Sequence, residues 1–253
     1  MLTPDYIHVL YSLALVLVAI GVTVWWRIPV TKEITLGPVR AFVQLVAVGY
    51  ALTFLFEPGR SWMIVPVLLI MTSVGAYAAA GRVKRLRGAY GVTFASILIG
   101  SAVTLGLMLA LPIIEFEARV VIPLSGMIIS NAMNASAITI NRFAADMRSH
   151  RLAVETSLSL GKGWREASRP FQREAVMAGM IAILNFMKTV GIVALPGAMT
   201  GMILGGAEPL DAALVQLIVT FMILSAMSVT SALTVEFTVR RFFTGSDQLR
   251  ADV

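Results

Sequence analysis

Five stretches of this chain run for 21 or more residues without a charge. Asp5 to Arg27 encloses 21 residues, Arg60 to Arg82 another 21, Arg87 to Glu115 27, Arg119 to Arg142 22, and Asp211 to Glu236 24. A helix rises 1.5 Å per residue, so about 20 apolar residues cross a hydrocarbon core of about 30 Å. Only 13% of the 253 residues are charged, against roughly a quarter in a soluble domain. Lipid offers backbone N–H and C=O groups no partner, so each run must satisfy its own backbone as a helix. The ten-residue alternating segments of a membrane β-barrel do not dominate here. The chain therefore reads as an all-α, polytopic membrane helical bundle.

Two further segments complete the expected topology. Ala41–Phe56 is slightly short, but Arg40 can reach the interface along its own aliphatic stem, so the segment is read as a span. Ala175–Ala207 is apolar except for Lys188 and is interrupted at Leu195–Gly197, which favours one broken crossing. Loop charges then alternate. Arg27–Arg40, Arg82–Arg87 ("RVKRLR"), Arg142–Glu174 and the tail after Glu236 are basic, whereas Glu57–Arg60, Glu115–Arg119 and Glu208–Asp211 are balanced or acidic. Basic loops mark the cytoplasmic side. The expectation is about seven spans, N-terminus outside and C-terminus inside. It places 17 of the 20 basic residues inside, two outside, and Lys188 in the membrane. The first run lacks a basic start and a small-residue cleavage site and is read as a retained span. The net charge of +6 is this asymmetry and not a nucleic-acid surface. The absence of cysteine excludes disulfides, thiolate metal sites and iron–sulfur clusters.

The long basic loop, 142–174, has local order. Asn141–Leu160 contains neither Gly nor Pro, Gly161 and Gly163 break the pattern, and Trp164–Ala167 starts a second helical turn before Pro170. Glu155, Thr156 and Ser157 are followed by Gly161 six positions after the glutamate, and by Phe171 ten positions after the glycine. That spacing resembles the Glu-Ala-Ala loop of ABC-transporter permeases, a coupling helix that docks on the ATP-binding subunit. By that resemblance Glu155, Gly161, Lys162, Gly163 and Trp164 are the coupling residues. The pattern ends in Leu-Pro, where this chain has Arg173-Glu174.

Four more segments widen the resemblance: "IPLSGMIISNAMNASAITINRF" (Ile122–Phe143), "NFMKTVGIVALPGAMTGMILGGAEPLDA" (Asn185–Ala212), "VRAFVQLVAVGYAL" (Val39–Leu52) and "RVKRLRGAYG" (Arg82–Gly91). From about residue 10 to 240 the chain resembles the FetB-type permease family, the membrane subunits of bacterial iron-export ABC transporters. The resemblance implies a single permease domain over 1–253, in the bacterial inner (cytoplasmic) membrane. Two N-terminal spans (about 6–56) would precede an importer-type five-helix core (about 61–236) whose coupling loop is 142–174. It also implies a permease homodimer, a separate ATP-binding cassette subunit, and export of iron or another metal ion. Plant relatives have been linked to nucleotide-sugar export, so that or another small solute is the alternative substrate. No Gly-x-x-x-x-Gly-Lys-Ser/Thr motif occurs, so ATP belongs on the partner and the chain itself is read as neither an enzyme nor a cofactor binder. A stand-alone secondary carrier is the reading from another class; buried carboxylates, which it would use, are missing from the spans.

Lys188 is the one basic residue inside an expected span, about 21 Å along a helix from Glu174. Charge there is costly and usually faces a cavity or a partner. It reads as a pathway or gating residue, or as a structural cation near the break. Asn131 and Asn134 recur on the fifth span with Asn141, as interhelical hydrogen bonders or substrate contacts. Asn185 lies three residues before Lys188, on the same helical face. Pro196 and Gly197 form a candidate hinge. The 14 methionines read as packing, His8 and His150 fall on opposite sides, and no metal-ligand set is defined.

Overall fold

The computed structural model describes residues 6–27, 31–57, 59–83, 88–244 and 248–250. Side chains of residues 6–10 and 31–33 are not among those described, so His8 and Lys32 lie outside them, as do residues 84–87 of the basic "RVKRLR" loop. Every extended element among the described residues is helical. The chain divides into two compact units, one ending at Arg60 and the other beginning at Ser61.

The first unit is a pair of helices, α1 (Tyr6–Trp25) and α2 (Thr31–Leu55). Within α1, Thr23 returns its hydroxyl to the carbonyls of Ala19 and Ile20 at 2.6 and 3.0 Å. A buried hydroxyl in an apolar helix has few other acceptors, and back-bonding to its own preceding turn is the usual solution. After α2, Arg60 pairs with Glu57 at 2.8 Å, donates to the Phe54 carbonyl at 2.7 Å and lies over the Phe54 ring.

The second unit is built from α3 (Ile64–Gly81), preceded by a 3-10 turn at Ser61–Met63, α4 (Ala89–Ala110), α5 (Ala118–Ser149), α6 (Arg151–Ser159), α7 (Trp164–Thr189), α8 (Gly197–Leu204) and α9 (Pro209–Val239). Side-chain pairings fix the directions. Thr234 lies against Ser96, and Ser225 against Thr104, so α4 and α9 are antiparallel. Ile128 packs with Met222 and Phe143 with Phe242, so α5 and α9 are parallel. Arg165 pairs with Glu236 near the start of α7 and the end of α9, so α7 runs opposite to both. One end of the unit therefore gathers the C-termini of α3, α5 and α9 with α6 and the start of α7. The other gathers the starts of α5 and α9 with α8.

Among the described residues, five helical stretches are long and apolar enough to cross a membrane: Ile34–Leu55, Ser61–Gly81, Ala89–Ala110, Ala118–Ser149 and Pro209–Val239. The other two expected crossings fall short of those limits for different reasons. The described apolar part of α1 is Tyr11–Trp25, and α7 carries five charges in its first eleven residues and Lys188 in its last turn. α5 is the longest helix, 32 residues or about 48 Å. It exceeds the bilayer core and ends in the aromatic cluster described below.

Three expected boundaries shift. The helix of Asn141–Leu160 is two: its first part belongs to α5, and the chain bends at His150, which has φ −110° and ψ 25°. Pro170 does not end a short turn; α7 continues through it. Ala167 and Ser168 before the proline, and Ala175 after it, are buried, so packing on both sides offsets the one lost hydrogen bond. The interruption expected at Leu195–Gly197 begins at Val190. Gly191, at φ +81°, lets the chain turn back, and the amides of Val193 and Ala194 close on the Thr189 carbonyl.

The core of the second unit is unusual in its hydroxyls. Ser96 on α4, Ser136 and Thr139 on α5, and Thr230, Ser231, Thr234 and Thr238 on α9 are fully buried. Thr234 Oγ1 lies 2.9 Å from Ser96 Oγ and 3.0 Å from Ser136 Oγ, joining three helices at one atom. Gly179 on α7 is packed directly against Thr139 and Ser231, where a Cβ would overlap both hydroxyls. Small residues at such crossings let helix backbones approach closely where lipid gives no hydrophobic drive between helices.

Candidate functional site

Two places in the second unit collect the functional candidates. The first is the turn between α6 and α7. α6 buries only Val154, against Phe143, Met147 and the aromatic residues Phe242 and Phe243 at the end of α9. Phe143 and Phe242 meet edge-to-face at 5.1 Å between centroids, and Phe171 stacks on His150 at 5.0 Å. This cluster holds α6 by one side only. On the other side Leu152 and Leu160 stay 78% and 77% exposed.

Gly161 follows with φ +84°, a conformation that costs a residue with a Cβ roughly 1–2 kcal/mol. Gly163 is the N-cap of α7, and its carbonyl accepts the amides of Glu166 and Ala167 at 3.0 Å. Trp164 packs into the aromatic cluster, 5.9 Å from Phe243, and carries the Arg165 guanidinium over its ring. Glu155 pairs with Arg151 at 2.8 Å, and Lys162 with Glu166 at 3.0 Å. The turn thus has two exposed glycines, two exposed leucines beside it, and a tryptophan anchoring it to the bundle.

The second place is a cavity of about 450 Å³ beside the interruption after α7. It lies among α5, α7, α8 and α9 and is lined by Asn131, Phe186, Pro196, Gly197 and Gln216, with an apolar floor including Val219 and Ile223. Asn131 donates its amide to the Met127 carbonyl one turn back at 2.8 Å, which leaves its carbonyl oxygen free to accept. Gln216 does likewise, donating toward Thr220 Oγ1 at 3.4 Å. The polar side chains lining this cavity are therefore neutral amides. Among the described residues no three His, Asp or Glu side chains converge as a metal site.

The other candidates lie elsewhere. Asn134 accepts from the Arg82 guanidinium at 2.9 Å, and Asn141 donates to the Arg82 carbonyl at 3.2 Å. Both amides fasten the end of α3 to α5. Asn185 and Lys188 are exposed on the last turns of α7, outside the cavity lining, and Lys188 has no ion pair among the described residues. The structure thus brings Asn131, Pro196 and Gly197 together and leaves Asn134, Asn185 and Lys188 apart. Gln216 is the residue that sequence reasoning missed. Its signal is plain in retrospect, since it is the only amide side chain in the 24 uncharged residues after Asp211.

Apolar helices of membrane-spanning length, alternating in direction and joined through buried hydroxyls, define a polytopic helical membrane protein. Comparison with known proteins narrows the class. The chain belongs to the uncharacterised protein family UPF0014, whose model matches residues 6–243. It is 35% identical over 236 residues to the UPF0014 membrane protein STAR2 of Oryza sativa subsp. japonica, covering 93% of this chain and 83% of that protein. To the protein ALUMINUM SENSITIVE 3 of Arabidopsis thaliana it is 35% identical over 243 residues, 96% of this chain and 89% of that one. To the probable iron export permease protein FetB of Escherichia coli (strain K12) it is 33% identical over 238 residues, 94% and 92% respectively. No solved structure matches the chain.

Proposed function

We propose that this protein is the membrane-spanning permease subunit of an ATP-driven ABC exporter, working as a homodimer with two separate ATP-binding cassette subunits. The observation that carries the reading is α6 with its Gly161 turn. It is a nine-residue helix held by one side through Val154, with Leu152 and the C-cap Leu160 exposed on the other, next to a glycine turn. The spacing of Glu155 and Gly161 matches the docking loop of ABC permeases, and the ATPase would seat on that face. Charge supports the orientation. Within the second unit the α6 end carries the basic residues Arg142, Arg148, Arg151, Lys162, Arg165, Arg169, Arg173, Arg240 and Arg241 against the acidic Asp146, Glu155, Glu166, Glu174 and Glu236, whereas the opposite end carries Glu115, Glu117, Glu208 and Asp211 against Arg119. By the positive-inside rule the α6 end faces the cytoplasm of a bacterial inner membrane, with seven spans and an external N-terminus.

Iron or another metal ion is the substrate favoured by the likeness to FetB, through whose name export of iron enters this reading. A nucleotide-sugar or other polar solute is the second reading. The neutral amides of Asn131 and Gln216 in an otherwise apolar cavity suit an uncharged polar solute better than a hard cation, which prefers carboxylate, and the lining has no cation to meet the diphosphate of a nucleotide-sugar. The deciding experiment is affinity purification from native membranes. An ATP-binding cassette subunit should co-purify and be lost on Gly161→Arg or Glu155→Arg while the permease keeps its elution volume and helicity. Purification without any ATPase, together with unaided transport in liposomes, would overturn the proposal. Vesicle flux of metals and nucleotide-sugars side by side selects the substrate.

A further inference from the structure

A second cavity, about 490 Å³, runs along the outer face of α7 and α9. Its α7 wall is a single helical stripe: Arg169 and Arg173, then Val176, Met177, Met180 and Leu184. Its α9 wall is Ala232, Val235 and Glu236. The stripe changes character once. Two exposed guanidiniums lie at one end, and from Ala175 to Thr189 α7 has no charge except Lys188 near its end. Neither Arg169 nor Arg173 has an ion pair among the described residues. The carboxylate that faces them, Glu236, is taken by Arg165 at 2.8 Å. The groove therefore keeps a net positive mouth above an apolar floor.

The dimensions match one kind of molecule. From Arg173 to Leu184 is eleven residues, about 16 Å along the helix, half of a hydrocarbon core of about 30 Å. A ligand that fills the groove thus needs an anionic head at the guanidiniums and an apolar chain reaching one leaflet deep. We propose that the α7–α9 groove binds an anionic phospholipid, its phosphate held by Arg169 and Arg173 and an acyl chain laid along Val176, Met177, Met180 and Leu184. Paired arginines suit phosphate oxygens as forked donors, and basic pockets between membrane helices commonly take anionic headgroups. Arg165 joins the two places, lying over the Trp164 ring and pairing with Glu236 of the groove wall, so the lipid readout is taken on the chain with no ATPase present.

The test is native mass spectrometry of the detergent-purified full chain with phosphatidylglycerol, phosphatidylcholine of the same chain length, or glycerol phosphate. Phosphatidylglycerol should be retained preferentially, and Arg169→Gln with Arg173→Gln should reduce that preference by about thirtyfold. Arg148→Gln, a basic exposed position outside the groove, should leave it unchanged, and Arg169→Lys with Arg173→Lys should restore most of it. Equal retention of the two lipids by the unaltered chain would sink the proposal even if the glutamine variant fails to fold. So would complete displacement of lipid by glycerol phosphate, which marks a site for free phosphate. So would a covalent dimer formed by Met177→Cys in membranes, which marks the groove as a face between two copies. The chain has no native cysteine to confuse that reading.

Discussion

At the scale of single residues, the buried hydroxyls make opposite predictions from similar chemistry. Thr234 Oγ1 joins Ser96 and Ser136, whereas Thr238 Oγ1, one helical turn further, is buried without a hydrogen-bond partner among the described residues. Replacing the Thr234 hydroxyl by a methyl strands Ser136 in an apolar interior, while Ser96 keeps its bond to the Val92 carbonyl at 2.8 Å, at a cost of about 1–2 kcal/mol. Replacing an unbonded one removes a desolvation penalty and strands nothing. Thr234→Val should therefore lower the melting temperature in detergent, and Thr238→Val should leave it unchanged or raise it. Equal losses in both variants would show that the two hydroxyls share the same surroundings. Gly179 is the other residue on which packing hinges. Gly179→Leu drives a branched side chain between Thr139 and Ser231, where even a Cβ overlaps, and should destabilise by at least about 2 kcal/mol. Gly106, around whose Cβ position there is open space, is the control. Gly106→Leu should melt within a degree or two of the unaltered chain.

At the scale of elements, helix existence was legible and helix ends were not. The uncharged runs expose α3, α4, α5 and α9 because lipid leaves a long apolar segment no other backbone solution. The ends depend on single conformations that composition does not record. Gly191, rather than the more conspicuous Leu195-Pro196-Gly197, terminates α7, because a positive φ one residue past the helix cap closes its last carbonyls. Pro170 lies inside α7, where buried residues on either side of it hold the helix together. The candidate site shows the same limit. Asn131, Pro196 and Gly197 were legible one by one as unusual residues, but their meeting in one cavity follows from α5 and α7 packing against α9. Gln216 belongs to that cavity for the same reason. The α6 turn was more legible, since Glu155 and Gly161 are local to each other. Val154→Asp tests how the element is held. It should free α6 from Phe143 and Phe242 and increase amide exchange in residues 151–163 by at least about tenfold, with little change in α4.

At the scale of the whole molecule, charge separation between the two ends of the second unit predicts accessibility. With no native cysteine, a single engineered thiol reports its side without background. Glu208→Cys should react with a membrane-impermeant maleimide in intact cells, and Ser159→Cys only after permeabilisation. The reverse pattern would invert the orientation and place the α6 turn beyond the reach of a cytoplasmic ATPase.

The length of α5 has a mechanical consequence. A rod of about 48 Å outlasts the hydrocarbon core by more than a third of its own length. One extremity is gripped by the aromatic cluster that also carries α6, and farther along the same helix Asn131 borders the cavity. α5 packs on α7 and α9 along its length. The cluster that holds α6 and the cavity beside Asn131 are therefore joined by one unbroken helix, with no loop between them.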